Sequence, residues 1–252
     1  NLPKFTLDGK RIKYTVTESP VANYAPTYIA LDSLSAKIVN IKLTSFKVDK
    51  VWLDGEGEGR PESLTVKLWA GITVAGAPQT LSEDNNWTYT WNNLPMYTIL
   101  GNKINYWAEE GYVSGYAASY KPTATGATFT NTKLTSFKVE KNWLDDGPRN
   151  RPGLIKVTLS GSDGGSILLD GVWYLTVLNG WKHTWMYLPQ YTADNELITY
   201  SVKESVPTGY VESYAQTETG TKITNTQLTT FKVEKAWVDG NSNERPQSVT
   251  VT

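Results

Sequence analysis

The sequence predicts an all-β fold, a tandem series of antiparallel β-sandwiches arranged as a rod, and three observations carry that reading. Short runs rich in Thr, Val, Ile and aromatic residues, with Trp 10 and Tyr 15 in 252 residues, alternate with clusters of Gly, Pro, Asn and Asp. Helical periodicity is sustained nowhere. Three separate landmarks return with one period of about 91 to 94 residues, too long for a solenoid unit and suited to beads that each bury their own core.

The first landmark is Leu-Thr-Ser/Thr-Phe-Lys-Val, beginning at Leu43, Leu134 and Leu228. It leads into a lysine-bearing strand and an acidic turn closed by Arg60-Pro61, Arg151-Pro152 and Arg245-Pro246. The second is Leu-Pro-x-aromatic-Thr at Leu2, Leu94 and Leu188, followed by a strand ending in Glu18, Glu110 or Glu204. The third is a short strand ending in Asn40, Asn131 or Asn225. They divide the chain into the C-terminal part of a truncated repeat (1–42), two complete repeats (43–133 and 134–227) and the N-terminal part of another truncated repeat (228–252).

Within the repeat 43–133 about seven strands are expected, at Ser45–Leu53, Leu64–Leu68, Ile72–Ala75, Trp87–Trp91, Ile104–Glu110, Ser114–Ser119 and Ala127–Asn131. Polar turns separate them, which is the pattern of an immunoglobulin-like sandwich. Only ten residues separate Asn131 from Lys141, with no Gly, Pro or Ser run between them. The last strand of one repeat should therefore run almost directly into the first strand of the next.

Composition narrows the function. Net charge is -1, from Lys+Arg 24 and Asp+Glu 25, so nothing draws the chain to nucleic acid or to an anionic membrane. No apolar run approaches a membrane span. With Cys 0, disulfides, thiolate chemistry and cysteine-ligated zinc are excluded. No Ser-His-acid set or phosphate loop suggests a turnover enzyme, and no cofactor is called for. A secreted chain would suit this composition.

The chemistry lies in strand parity. Phe46, Val48, Lys50 and Trp52 share one face of a strand, and so do Phe137, Val139, Lys141 and Trp143, and Phe231, Val233, Lys235 and Trp237. Glu110 shares a face with Tyr106 and Ala108, Glu204 with Tyr200 and Val202, and Glu18 with Tyr14 and Val16. Asn131 shares one with Phe129, Asn225 with Ile223 and Asn40 with Ile38. Each repeat thus aims a lysine, a glutamate and an asparagine at its own core. One reading is a buried ion pair with an amide beside it. The other is reactive: desolvation frees the amine, keeps the acid neutral, and lets the amine attack the asparagine carbonyl with loss of ammonia.

Several motifs then carry a resemblance. Val-Glu-Lys-x-Trp-x-Asp (Val139 to Asp145), the Arg-Pro that follows, Asn-Trp-Thr-Tyr-Thr-Trp (Asn86 to Trp91), Tyr-Thr-Val-Thr-Glu (Tyr14 to Glu18) and Ile-Thr-Asn-Thr (Ile223 to Thr226) occur in order along the whole chain. The sequence closely resembles the B-type repeats of the staphylococcal collagen adhesin, repeats found in Gram-positive surface adhesins and pilins. The resemblance implies stalk domains with intramolecular Lys-Asn isopeptide bonds assisted by an acid. By position the bonds would be Lys50 to Asn131 with Glu110, and Lys141 to Asn225 with Glu204. Asn40 and Glu18 lack their lysine, and Lys235 lacks its acid and asparagine. Trp107 and Ala108 before Glu110 depart from the family's usual small or branched residues. A second acid there, Glu109, points outward by parity.

The resemblance further implies an extracellular location at the cell surface or cell wall of a Gram-positive bacterium. Expected partners are the neighbouring repeats and other copies of the chain in a fibre; no host ligand is identified. Crosslinking would be single-turnover, not enzymatic. Two other signals compete. The turns Asp54-Gly55-Glu56-Gly57-Glu58 and Asp239-Gly240-Asn241-Ser242-Asn243 resemble half of a calcium loop without its closing glutamate, so no metal is expected. Trp87, Tyr89 and Trp91, matched by Trp181, His183 and Trp185, would line a platform for a host glycan or matrix protein if their faces were open.

Overall fold

The computed structural model describes residues 2–32, 35–55, 57, 59–163, 167–240 and 243–251, with the backbone alone for 167–170. Among the described residues there are fifteen strands and three single-turn 3-10 helices. The strands are β1 (Tyr24–Ala30), β2 (Ala36–Leu53), β3 (Ser63–Ala70), β4 (Thr73–Val74), β5 (Gln79–Ser82), β6 (Thr88–Pro95), β7 (Tyr106–Glu110) and β8 (Tyr116–Thr123). There follow β9 (Gly126–Leu144), β10 (Leu154–Ser162), β11 (Ile167–Thr176), β12 (Lys182–Pro189), β13 (Thr199–Glu204), β14 (Tyr210–Thr217) and β15 (Gly220–Gln227). The all-β expectation holds. The short β5 is additional to the expected strands.

Two compact units are distinguished. The first holds Asn1–Phe137, Leu159–Gly171 and Thr184–Ser201; the second holds Lys138–Thr158, Val172–His183 and Val202–Thr252. In the first, β2 alternates as its parity requires: Phe46, Val48, Lys50 and Trp52 are buried, while Lys47 and Asp49 form an outward ion pair of 2.6 Å. Against that buried row pack Leu64, Val66 and Leu68 of β3, Leu81 of β5, Trp87 and Trp91, Ala108 of β7, Tyr116 of β8 and Phe129 of β9. Two sheets supply these side chains. In one, β2 pairs with β6 and β9, and β9 with β8; in the other, β3 pairs with β4, β5 and β7.

The second unit repeats part of this plan with Val139, Ile155, Val157, Leu175, Val202, Tyr210 and Ile223 buried. Here β15 pairs with β9 on one side and β14 on the other.

Most pairings among the described residues are antiparallel, and two are parallel. β2 and β9 run parallel from Lys47 beside Gly126 to Leu53 beside Thr132, and β9 and β15 run parallel from Lys138 beside Gly220 to Leu144 beside Thr226. The first and last strands of a repeat are not joined by a hairpin, so nothing requires them to reverse direction. β9 itself is continuous, which bears out the direct passage from one asparagine strand into the next lysine strand. Gly126 and Gly220 open the two parallel ladders because only a bare backbone fits. A Cβ there would lie 1.8 Å from the Lys47 carbonyl oxygen and 1.9 Å from that of Lys138.

Candidate functional site: a lysine, an acid and an asparagine in each core

The parallel ladder sets the relation between lysine and asparagine. Lys50 on β2 lies beside Phe129 of β9, and Trp52, two residues on, lies beside Asn131. Lys141 of β9 lies beside Ile223 of β15, and Trp143 beside Asn225. In both repeats the asparagine is therefore one same-face position ahead of the lysine on the adjacent strand. With strands roughly 4.8 Å apart and a rise of about 3.3 Å per residue, that diagonal spans roughly 8 Å between Cα atoms, a gap that a long lysine and a short asparagine close together.

Their burial is complete where it matters. The Lys50 and Lys141 side chains are 0% exposed, and Asn131 and Asn225 are 0% exposed. Lys50 Nζ is 3.6 Å from Glu110 Oε2, and Lys141 Nζ is 3.5 Å from Glu204 Oε2. Each amine also donates to the carbonyl of the residue that follows it, at 3.1 Å to Val51 and 3.2 Å to Asn142. Both side-chain oxygens of Glu110 and Glu204, and both side-chain polar atoms of Asn131 and Asn225, are buried without a hydrogen-bond partner. A lysine, a carboxyl and a carboxamide packed together in this way leave polar capacity unused, which is costly unless chemistry or protonation relieves it.

Electrostatics point the same way in both repeats. Burial pulls the Lys50 and Lys141 amines down to about 8, against the partial opposition of Glu110 and Glu204. Burial raises the carboxyls of Glu110 and Glu204, opposed by the lysine and by the nearby asparagine. A lysine drawn toward its neutral form is a nucleophile, and an acid that keeps its proton can donate to a carbonyl oxygen as charge develops there. The groups needed for amide exchange thus stand in one dry pocket. Glu109, by contrast, is exposed and accepts from Trp69 Nε1 at 3.1 Å, as its parity predicts.

The two partial copies differ. Asn40 donates to Glu18 Oε1 at 3.0 Å, with Asn40 exposed and Glu18 half-buried. Lys235 is exposed and lies outside any strand.

The aromatic-platform reading is corrected for the first repeat. Trp87 and Trp91 are each 6% exposed, and Tyr89 packs against the same core, because the left-handed turn at Asn86 and Trp87 turns this run inward against β2. In the second repeat Trp181 meets Trp143 edge-on at 5.2 Å, and His183 stacks on Trp173 at 4.0 Å. The half calcium loops include residues 56, 58, 241 and 242, which lie outside the described residues. Asp54 itself is bound by Arg60 and Tyr116. Among the described residues no three metal-ligating side chains gather, and no helix is long and apolar enough to cross a membrane.

Sequence reasoning missed one recurring cluster. Arg60 grips Asp54 through Nε at 3.0 Å and Nη2 at 2.6 Å, and Arg151 grips Asp145 through both nitrogens at 2.7 Å. Tyr116 and Tyr210 each donate to that aspartate at 3.1 Å. The signal was present: an aspartate and an arginine six residues apart in all three copies of the turn.

A sequence profile described as Cna protein B-type domain matches residues 1–41, 46–132 and 137–226. The collagen adhesin of Staphylococcus aureus is 32% identical over 266 residues, a match covering 100% of this chain and 21% of that protein's length. Among solved structures, a single B repeat unit of the collagen binding surface protein of Staphylococcus aureus is 30% identical, covering 75% of this chain and 100% of that one, with a TM-score of 0.35. Two consecutive B repeat units of that protein are 28% identical, covering 90% of this chain and 61% of that one, with a TM-score of 0.34.

Proposed function

The chain belongs to the Cna protein B-type domain family, and from that premise we propose that it is a structural segment, the stalk or fibre shaft of a Gram-positive cell-surface protein. Each complete repeat is stapled by an autocatalytic isopeptide bond, Lys50 to Asn131 and Lys141 to Asn225. The observation that carries this reading is the matched pair of buried sites, with lysines 3.6 Å and 3.5 Å from their glutamates and asparagines without hydrogen-bond partners.

The reaction conserves every atom. The neutral lysine Nζ attacks the asparagine side-chain carbonyl carbon while the protonated glutamate donates toward its oxygen. The carbon–nitrogen bond of the carboxamide breaks, ammonia leaves with the proton surrendered by the amine, and a secondary amide joins the strands. The buried amine and the unpartnered carboxamide are consumed together. Glu110 and Glu204 recover their protons, and each repeat reacts once.

The bond suits a load-bearing role. It closes a loop of about 81 residues in the first repeat, which on the loop-entropy scale stabilises the fold by roughly 4–5 kcal/mol. Mechanically it matters more. Tension entering at the lysine strand leaves by the asparagine strand, so force passes through a covalent bond and the loop cannot pay out its roughly 270 Å of contour. A cysteine-free chain gains a tether that reductants do not cut. Pulling the chain end to end tests the role: the intact protein should release no long segment from either complete repeat, and Lys141→Ala should release one long segment. Full release from the intact protein would refute it.

A further inference from the structure

The lysine amine is held in one place in all three copies of the lysine strand, including the copy that is exposed. Lys50 Nζ lies 4.2 Å from the centre of the Trp52 ring, Lys141 Nζ 4.7 Å from that of Trp143, and Lys235 Nζ 4.7 Å from that of Trp237. An arginine guanidinium lies over the same rings: Arg60 at 5.4 Å, Arg151 at 5.6 Å and Arg245 at 5.9 Å. In each copy the arginine is gripped by the aspartate two residues beyond the tryptophan. Because the arrangement exists at Lys235, which is exposed and outside any strand, it is a local property of the Lys-x-Trp-x-Asp segment and its arginine.

The register gives it a purpose. Lysine and tryptophan are same-face neighbours two residues apart, and the tryptophan, not the lysine, lies beside the asparagine. An amine resting over that ring has already leaned one position forward along the strand, into the row occupied by Asn131 or Asn225. The attraction between ammonium and indole draws it there while it is still charged and the sandwich is still open. We propose that Trp52 and Trp143 are positioning residues for the crosslinking step, which aim the lysine at the asparagine row, and that the aspartate-held arginine fixes the ring. The inference rests on the isopeptide reading and adds the residue that makes attack fast. The acid and the apolar pocket set the protonation, and the indole sets the direction.

The test uses the full chain, with the untouched repeat as an internal standard. Protein made by cell-free synthesis is quenched in acid at intervals, and the joined peptides Lys50–Asn131 and Lys141–Asn225 are counted by mass spectrometry. Trp143→Leu should slow the Lys141–Asn225 bond by about 10- to 100-fold while Lys50–Asn131 forms at its usual rate, and Trp143→Phe, which keeps a ring, should restore most of the loss. The same two substitutions placed in an Asn225→Ala chain, where no bond can form, measure their cost to folding alone. The proposal stands if Leu and Phe destabilise that chain alike but only Leu slows the bond. It is overturned if Leu leaves the rate unchanged, if Leu and Phe slow it equally, or if the slowing matches the loss of folding. Absence of the Lys50–Asn131 bond in every chain would instead refute the isopeptide reading beneath it.

Discussion

Residues 137–141 and 231–235 have the same sequence, Phe-Lys-Val-Glu-Lys, and opposite environments. In the first copy Phe137 is 8% exposed and Lys141 is buried in β9 next to Glu204; in the second Phe231 is 91% exposed and Lys235 is exposed. The local features survive in both, since each lysine sits over its tryptophan and each arginine holds its aspartate. What separates them is the company of distant strands. β15 supplies Asn225 and β13 supplies Glu204, and in that setting burial pulls Lys141 down to about 8. On the proposed reading, reactivity belongs to the assembled sandwich, whereas aim belongs to the peptide.

The largest break in this comparison comes from removing the acid. Glu204→Ala should leave Lys141 as a free amine like Lys235, abolish the second bond and cost the repeat roughly 4–5 kcal/mol, or about 15 °C or more in melting temperature. Calorimetry alongside the same change at Glu109, which is exposed, measures the contrast. Glu109→Ala should move the melting temperature by little.

A smaller effect, with a sign, comes from pH. In an Asn225→Ala chain the lysine and acid stay titratable. Above pH 4.5 the unfolded chain releases the glutamate proton that the folded one keeps, so stability should fall with rising pH. Between about 8 and 10.5 the unfolded chain holds the lysine proton that the folded one has lost, so stability should rise again, by at most about 1.4 kcal/mol per pH unit. Denaturant melts across pH check both limbs. On the proposed reading the crosslinked second repeat should lack the upper limb, because its lysine is an amide, and keep the lower one, because Glu204 remains a buried carboxyl.

Much of this was legible in the residues. Parity alone placed Lys50, Glu110 and Asn131 on inward faces, because a strand with one buried side has no freedom to put them elsewhere. The period located the equivalents in the next repeat. Parity does not name the neighbour, however. That Asn131 lies beside Trp52 is a property of register, fixed by the close approach of Gly126 to Lys47. The same gap explains the aromatic run at Trp87 to Trp91, whose composition suits an open sheet and a core equally. The four-residue β5 escaped notice because a single buried Leu81 is too little alternation to stand out.

The smallest expected effect sharpens the comparison furthest. Asn142→Ala makes 137–143 identical to 231–237. Crosslinking of Lys141 should be unchanged and stability should shift by no more than about 0.5 kcal/mol, since the outward side chain contributes nothing to the pocket. Peptide mapping with an amine-acylating reagent should then still label Lys235 and spare Lys141.

The claim beneath all of this is that two lysines are no longer amines, and the mass of the intact 28.0 kDa chain decides it. Loss of two ammonia molecules, about 34 Da, with joined peptides Lys50–Asn131 and Lys141–Asn225, is the predicted result. A mass equal to that of the sequence, in a chain that is folded, would contradict it.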